Sequence, residues 1–340
     1  MRDDQASRVI DSKADSNEVI WNFFRMTILF SSNHGCVVSC LALATARFES
    51  VGAWQTAVLY TAYVGSSFLG ATYVVKRLGS LRSITLGMGL NCFYVGCFFV
   101  ATMDWCTVKI PSVFFGAAIG GVGNGILWTA QGVFFAHSSE IHANCPGRSQ
   151  SDSTTLLAGL FSFSYLAMEV VMRLISSTFI KLCDVSWSTV FLIYTVLAIL
   201  TTFMMRWVQP VNGRHNATAA KYCDNTSAHY SGKKMTATFQ LFYNDSKMKY
   251  MFGLNAVFGL SAAYLNSYVN GEVVKIALDD VNSEDVGFLG AISVSVASIG
   301  CILFGFLDKK IGKGLILTIG AVAFISMHIP FLVYPQVKSW

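Results

Sequence analysis

One short basic turn occurs twice in this chain, and it limits the fold more than any other feature. Lys76-Arg77-Leu78-Gly79, followed by Thr85 and Gly87, recurs as Lys309-Lys310-Ile311-Gly312, followed by Thr318 and Gly320. A single offset of about 233 positions aligns every matched residue, and each copy lies between two long apolar runs. A glycine-broken turn between membrane-length segments, repeated at the spacing of half a protein, is the sequence form of a membrane fold built from two parallel copies of one helical module.

The rest of the chain agrees with a bilayer setting. With 54% apolar and only 13% charged residues, there is too little polar surface to coat a water-soluble core of this length. Spans of about 20 apolar residues, enough to cross roughly 30 Å of hydrocarbon, are predicted at 26–46, 53–75, 83–102, 110–136, 154–177, 187–205, 250–270, 286–307 and 315–335. These nine spans define an all-α membrane bundle. The first is interrupted by Ser31, Ser32, Asn33 and His34, and a cleaved leader is its competing reading. Against a leader, the preceding residues mix Arg2, Arg8, Lys13 and Arg25 with Asp3, Asp4, Asp11, Asp15 and Glu18, and the apolar run starts too deep.

Lysine and arginine set the expected orientation. With the N-terminus in the cytoplasm, the inner segments hold most of them, including Arg25, Lys76, Arg77, Arg82, Arg148, Arg206, Lys309 and Lys310, while the outer segments hold Arg47, Lys109, Lys181, Lys275 and Lys338. The net charge of +5 therefore reads as topology rather than as attraction to nucleic acid. Trp21, Trp54, Trp105, Trp187, Trp207 and Trp340 fall near span ends, where amphipathic rings prefer to sit; Trp128 alone lies inside a span. The odd number of cysteines, nine, and their placement mostly in spans or inner loops imply no disulfide framework. Cys106 and Cys183, both expected outside, could pair.

Residues 206–249 form the one long polar stretch between spans and divide the chain into an N-terminal half, 1–205, with spans one to six, a cytoplasmic linker, and a C-terminal half, 250–340, with spans seven to nine. The end of the linker, with Phe239, Phe242 and Tyr243 among polar residues, suits either a short interfacial helix or a solvated loop. Acceptor patterns for glycosylation at Asn216, Asn225 and Asn244 would go unused on a cytoplasmic linker. Adding the repeat offset to spans two and three predicts spans near Val286 and Leu315, and both are present. The counterpart of span four would begin just past position 340, so the chain reads as six plus three helices of an expected twelve.

Polar residues inside spans are the candidate functional positions. In span four, glycines at 116, 120, 121, 123 and 125 let helices approach closely, either within the chain or against a partner, and no strand or Gly-Lys-Ser/Thr supports a nucleotide loop. Asn124, Trp128 and Gln131 follow at i, i+4 and i+7 and share a helix face, which suits interhelical hydrogen bonding or a cavity wall. Glu169 and Arg173, four residues apart in span five, are the charges well inside spans. A lone charge at the helix centre costs about 2.5 to 3.5 kcal/mol on insertion scales, so the two are expected to pair; the alternatives are a proton- or cation-coupling role for Glu169 and a snorkelling Arg173. Span seven is polar on one side, with Asn255, Ser261, Tyr264, Asn266, Ser267 and Tyr268. His34 is expected to be a satisfied buried histidine. The stretch from His137 to His142, with Glu140 and Cys145, has metal-type residues but not the spacing of a zinc-protease helix, and it is expected in a loop. No serine elbow or phosphate loop is present, so neither an enzyme nor a cofactor is implied.

The run Leu127-Trp128-Thr129-Ala130-Gln131-Gly132, with Pro111-Ser112 and Gly116 opening the same helix, the Lys76-Arg77-Leu78-Gly79 turn, and Leu59-Tyr60 in span two, resembles the uncoordinated-93 family, ion-channel regulatory proteins of the major facilitator superfamily. The likeness extends from about Gly52 to the C-terminus. It departs at Arg47-Phe48-Glu49-Ser50, where the family has a glutamine-serine-serine stretch. The resemblance implies a major-facilitator-type bundle in the plasma membrane that acts as a regulatory or accessory subunit of a potassium channel. Its alternatives are a secondary transporter of a small solute coupled through Glu169, or a trafficking escort for other membrane proteins.

Overall fold

The computed structural model describes residues 2–103, 109–211, 242–274, 279 and 285–333. Among the described residues every regular element is helical, as a bilayer demands of a chain that must satisfy its backbone internally. A first helical segment, Arg2–Ser66, contains one break at Glu49 (φ 51°, ψ −123°). On either side lie the membrane-length helices α1 (Ser16–Thr45) and α2 (Phe48–Leu78). Then come α3 (Ser80–Ala101), α4 (Lys109–Ala143), α5 (Gln150–Cys183) and α6 (Trp187–Trp207). After the linker follow α7 (Ser246–Ala263), which continues as a π-helix over Tyr264–Val273, α8 (Val286–Ile311) and α9 (Lys313–Val333). Helices α1 to α6 are long and apolar enough to cross a membrane, and α8 and α9 carry the shorter apolar stretches Val286–Gly300 and Gly314–Ser326.

The sequence motifs set the helix ends. The Ser149 side chain caps α5 by accepting from the Asp152 amide at 3.1 Å, and Ser186 caps α6 by accepting from the Thr189 amide at 3.4 Å. The repeated turn has a glycine at positive φ in both copies, Gly79 at φ 81° and Gly312 at φ 78°, a backbone region that costs a residue with a Cβ about 1–3 kcal/mol.

Three expectations change. The loop between spans one and two is replaced by the break at Glu49, and Gly52 lets the chain double back because a Cβ there would meet the Ala44 backbone. Span four runs past its apolar run at the C-terminal end and span five at both ends, since polar flanks remain helical once packed. The His137–His142 stretch accordingly forms the last turns of α4 rather than a loop, and the described residues contain no group of three metal-type side chains.

Helix α1 runs through the centre of the bundle. Its outer faces meet α3, α4, α5 and α6, while α3 and α4 make the most extensive pairing and α8 lies along α5. The α3–α4 seam shows why span four is rich in glycine. A Cβ on Gly120 would sit 2.8 Å from the Tyr94 Cβ, and one on Gly123 would sit 2.7 Å from the Leu90 Cβ. Gly121 faces the other way, where a Cβ would fall 2.7 Å from the Ala62 Cβ of α2. The stripe therefore serves packing within the chain, with α3 on one side and α2 on the other. Two apolar clusters result, one around Phe23, Phe30, Met88, Leu127 and Phe134, the other around Cys40, Tyr94, Phe98, Phe191 and Tyr194.

Candidate functional site

Between the two apolar clusters, at the level of Asn33 and His34 on α1, the core turns polar. Asn33 reaches across to α6, donating through Nδ2 to the Ala198 carbonyl at 3.1 Å and to Thr202 Oγ1 at 3.2 Å. Asn91 of α3 donates through its own Nδ2 to Asn33 Oδ1 and to Asn124 Oδ1, both at 3.4 Å. Three buried amides from α1, α3 and α4 are thus linked, an arrangement that fixes the register of three helices against one another.

His34 stands beside this chain of amides. It is buried, and the Asn124 side chain is a hydrogen-bonding neighbour of its ring. Aromatic rings enclose it: Trp128 edge-on at 5.3 Å, Tyr165 at 5.8 Å and Phe30 at 6.0 Å between centroids. Trp128 in turn meets Phe30 at 5.1 Å, Tyr165 at 5.7 Å and Phe161 at 6.2 Å, so α1, α4 and α5 close around one aromatic box. Contrary to expectation His34 is not fully satisfied, because its Nδ1 has no hydrogen-bond partner among the described residues, and Asn91 Oδ1, Thr27 Oγ1 and Ser31 Oγ have none there either. Thr27, Ser31 and His34 follow one another at i, i+4 and i+7 on the face of α1 that carries Phe30 onto Trp128.

One turn beyond Tyr165, Glu169 and Arg173 form an ion pair along α5. Arg173 donates to Glu169 Oε1 through both Nε (3.0 Å) and Nη2 (2.7 Å), and the two side chains are only 7% and 12% exposed. Helix α8 covers the arginine. A Cβ on Gly290 would lie 2.6 Å from Arg173 Nη1, so only glycine fits there without displacing the guanidinium. Nearer the end of α5, Lys181 Nζ contacts Asp285 Oδ1 at 2.5 Å, a second tie between α5 and the start of α8.

The positions singled out in the sequence divide clearly. Asn124, Trp128 and Gln131 share one inward-facing side of α4, with Asn124 and Gln131 buried and Trp128 half-buried, but they do not bond to each other. Glu169 and Arg173 are paired. In the repeated turn Arg77 donates to the Tyr73 hydroxyl at 3.1 Å and lies over its ring, while Lys76 and Lys310 are exposed, Gly79 and Gly312 make the bend, and the Lys309 side chain lies outside the described residues. Cys183 is exposed at the end of α5; Cys106 lies outside the described residues, and so does most of the linker, with Asn216 and Asn225. Asn33, Asn91 and Asp285 carry no signal as sites in the sequence, because the partners that each one meets come from other helices and no spacing links them.

A bundle with two pseudo-repeated turns, a buried amide chain and an in-membrane ion pair defines an integral, multi-pass membrane protein of transporter-like architecture. The sequence matches the Major Facilitator Superfamily over residues 23–340, and the chain belongs to that superfamily. Within it, the chain is similar to the human (Homo sapiens) protein unc-93 homolog A, with 22% identity over 346 aligned positions covering 92% of this chain and 72% of that protein.

Proposed function

We propose that this chain is a non-transporting major facilitator protein that serves as an accessory or regulatory subunit of another membrane protein, with a potassium channel as the partner that its uncoordinated-93-like sequence implies. The observation that carries this reading is the closure of the Glu169–Arg173 pair. A coupling carboxylate must alternate between a path and the bulk, yet this one is held along its own helix and its partner arginine lies beneath Gly290 of α8. The aromatic box around His34 fills the adjacent space between α1, α4 and α5. A filled centre favours a scaffold that acts by contact along its lipid-facing helices. In this reading the N-terminus and the repeated turns lie in the cytoplasm and the protein resides in the plasma membrane. Co-expression with a potassium channel tests it: channel current should change, while the protein alone moves no ion or solute. Unchanged current rejects the channel as partner.

Secondary transport is the second reading, and one observation favours it. Arg173 donates twice to Glu169 Oε1 and not to Oε2, and beside the aromatic box His34 Nδ1 and Asn91 Oδ1 have no partner among the described residues. These are atoms a protonated or cationic solute would meet. Uptake into vesicles that carry the reconstituted protein, lost in Glu169→Gln, would establish this reading in place of the first.

A further inference from the structure

A cavity of about 430 Å³ opens at the outer margin of α1, away from the amide chain and the ion pair, lined by Glu18, Trp21, Asn22, Arg25 and Gln209. Four of these residues follow one another at i, i+3, i+4 and i+7, so they form a single face of α1. The helix continues back past Glu18 toward Arg2, so the cavity is a side-chain surface and not a helix terminus. Its far wall is fixed by Asn22, which donates through Nδ2 to the Gln209 carbonyl at 2.9 Å and accepts through Oδ1 from the Gln209 amide at 2.8 Å. That reciprocal pair ties the segment leaving α6 against α1. Trp21 is 59% exposed, held edge-on by Phe24 at 5.8 Å, and leaves ring surface open to the cavity.

The charges are ordered along the membrane normal. The apolar part of α1 begins at Met26, so Arg25 stands nearest the hydrocarbon, Trp21 one turn further out and Glu18 furthest. At 1.5 Å per residue, Glu18 and Arg25 are about 10 Å apart along the axis, and both side chains lean toward the helix N-terminus, which brings the long guanidinium up beside Trp21. This order does not depend on which side of the membrane the N-terminus occupies. From the hydrocarbon outward, the cavity therefore offers an anion-binding guanidinium, an aromatic face that favours a cation, and a carboxylate.

A zwitterionic phospholipid presents its groups in the same sequence, phosphate next to the acyl chains and amine beyond it. We infer that this cavity binds the headgroup of a zwitterionic phospholipid, with the phosphate on Arg25, the ammonium over Trp21 and against Glu18, and the acyl chains running down the exposed face of α6 at Trp207, Phe203 and Leu200. An anionic lipid without an amine satisfies Arg25 with its phosphate but gives Glu18 no ammonium to pair with. The site is independent of the partner-protein reading above.

The test is lipid retention by the purified full chain in detergent, read by native mass spectrometry during titration with phosphatidylethanolamine, phosphatidylcholine, phosphatidylglycerol and soluble phosphoethanolamine. Wild-type protein should retain the two zwitterionic lipids at about tenfold lower concentration than phosphatidylglycerol. Glu18→Gln should remove that preference by weakening the zwitterionic lipids alone, and Arg25→Gln should weaken all three lipids. Glu18 and Arg25 are exposed, so both variants should keep the wild-type melting temperature. Equal retention of the three lipids by wild-type protein, or a preference that survives Glu18→Gln, overturns the assignment. Competition by soluble phosphoethanolamine as potent as that of the lipids overturns it too, because the occupant would then be a free phosphoamine.

Discussion

Glu169 and Arg173 hold a charge pair where water is scarce, and each is tolerable only because of the other. Removing one partner of a buried pair costs about 3–5 kcal/mol, whereas replacing both by apolar residues of similar size is often close to neutral. Glu169→Ala should accordingly lower the melting temperature in detergent well below wild type, while the double variant Glu169→Leu/Arg173→Leu should recover most of the loss. A double variant no more stable than the single one would show that the pair is not what holds α5 in place. Asn91 is the second residue on which the core depends, since its amide joins Asn33 to Asn124. Asn91→Leu removes the donor that Asn33 Oδ1 and Asn124 Oδ1 share, at about 1–3 kcal/mol for a buried group left unpaired, and the same melting assay should register it. The ion pair was legible in the sequence because four-residue spacing on a helix brings two side chains together regardless of the fold. The amide chain was not, because Asn33, Asn91 and Asn124 come from three helices and nothing in their spacing links them.

At the scale of helices, the glycines of α4 decide how closely the bundle can be drawn together. Gly120 meets Tyr94 and Gly123 meets Leu90, so Gly120→Leu or Gly123→Leu forces α3 and α4 apart, with an overpacking cost of about 1–3 kcal/mol. A substitution at Gly132, where nothing lies within 4 Å, should leave the melting temperature unchanged. The recurrence of these glycines was readable as a close-packing surface, but the choice between an internal neighbour and a partner protein was not. That choice depends on where α2 and α3 lie in space. The turns at Gly79 and Gly312 are a different case, because their shared sequence announced a shared backbone and the two φ angles agree. Gly79→Ala and Gly312→Ala should each cost about 1–3 kcal/mol, measured as similar falls in melting temperature. The helix ends were the least legible, since Lys109–Ala143 and Gln150–Cys183 reach well beyond their apolar runs and hydrophobicity alone does not mark where a capped polar turn stops.

For the molecule as a whole, the duplicated turns give a prediction about sidedness. Single cysteines placed at Ser80 and at Gly314, each just past its turn, should both react with an impermeant maleimide from the same side of a sealed vesicle, and a cysteine at Asp184 should react only from the other. Labelling of the first two from opposite sides would contradict the parallel repeat. The pair Lys181–Asp285 and the Gly290–Arg173 contact join α5 to α8 across the length of the linker, so cleavage within the linker should leave the two pieces associated in detergent. The double-sided glycine packing of α4 also limits how any other membrane protein can recognise this one. Its smoothest helix is already enclosed by α2 and α3, and the bundle shows the lipid a rough rim of large rings, Phe93, Phe115, Phe163 and Phe203 among them. A partner that approaches through the bilayer is then expected to seat these protruding aromatics in hollows of its own.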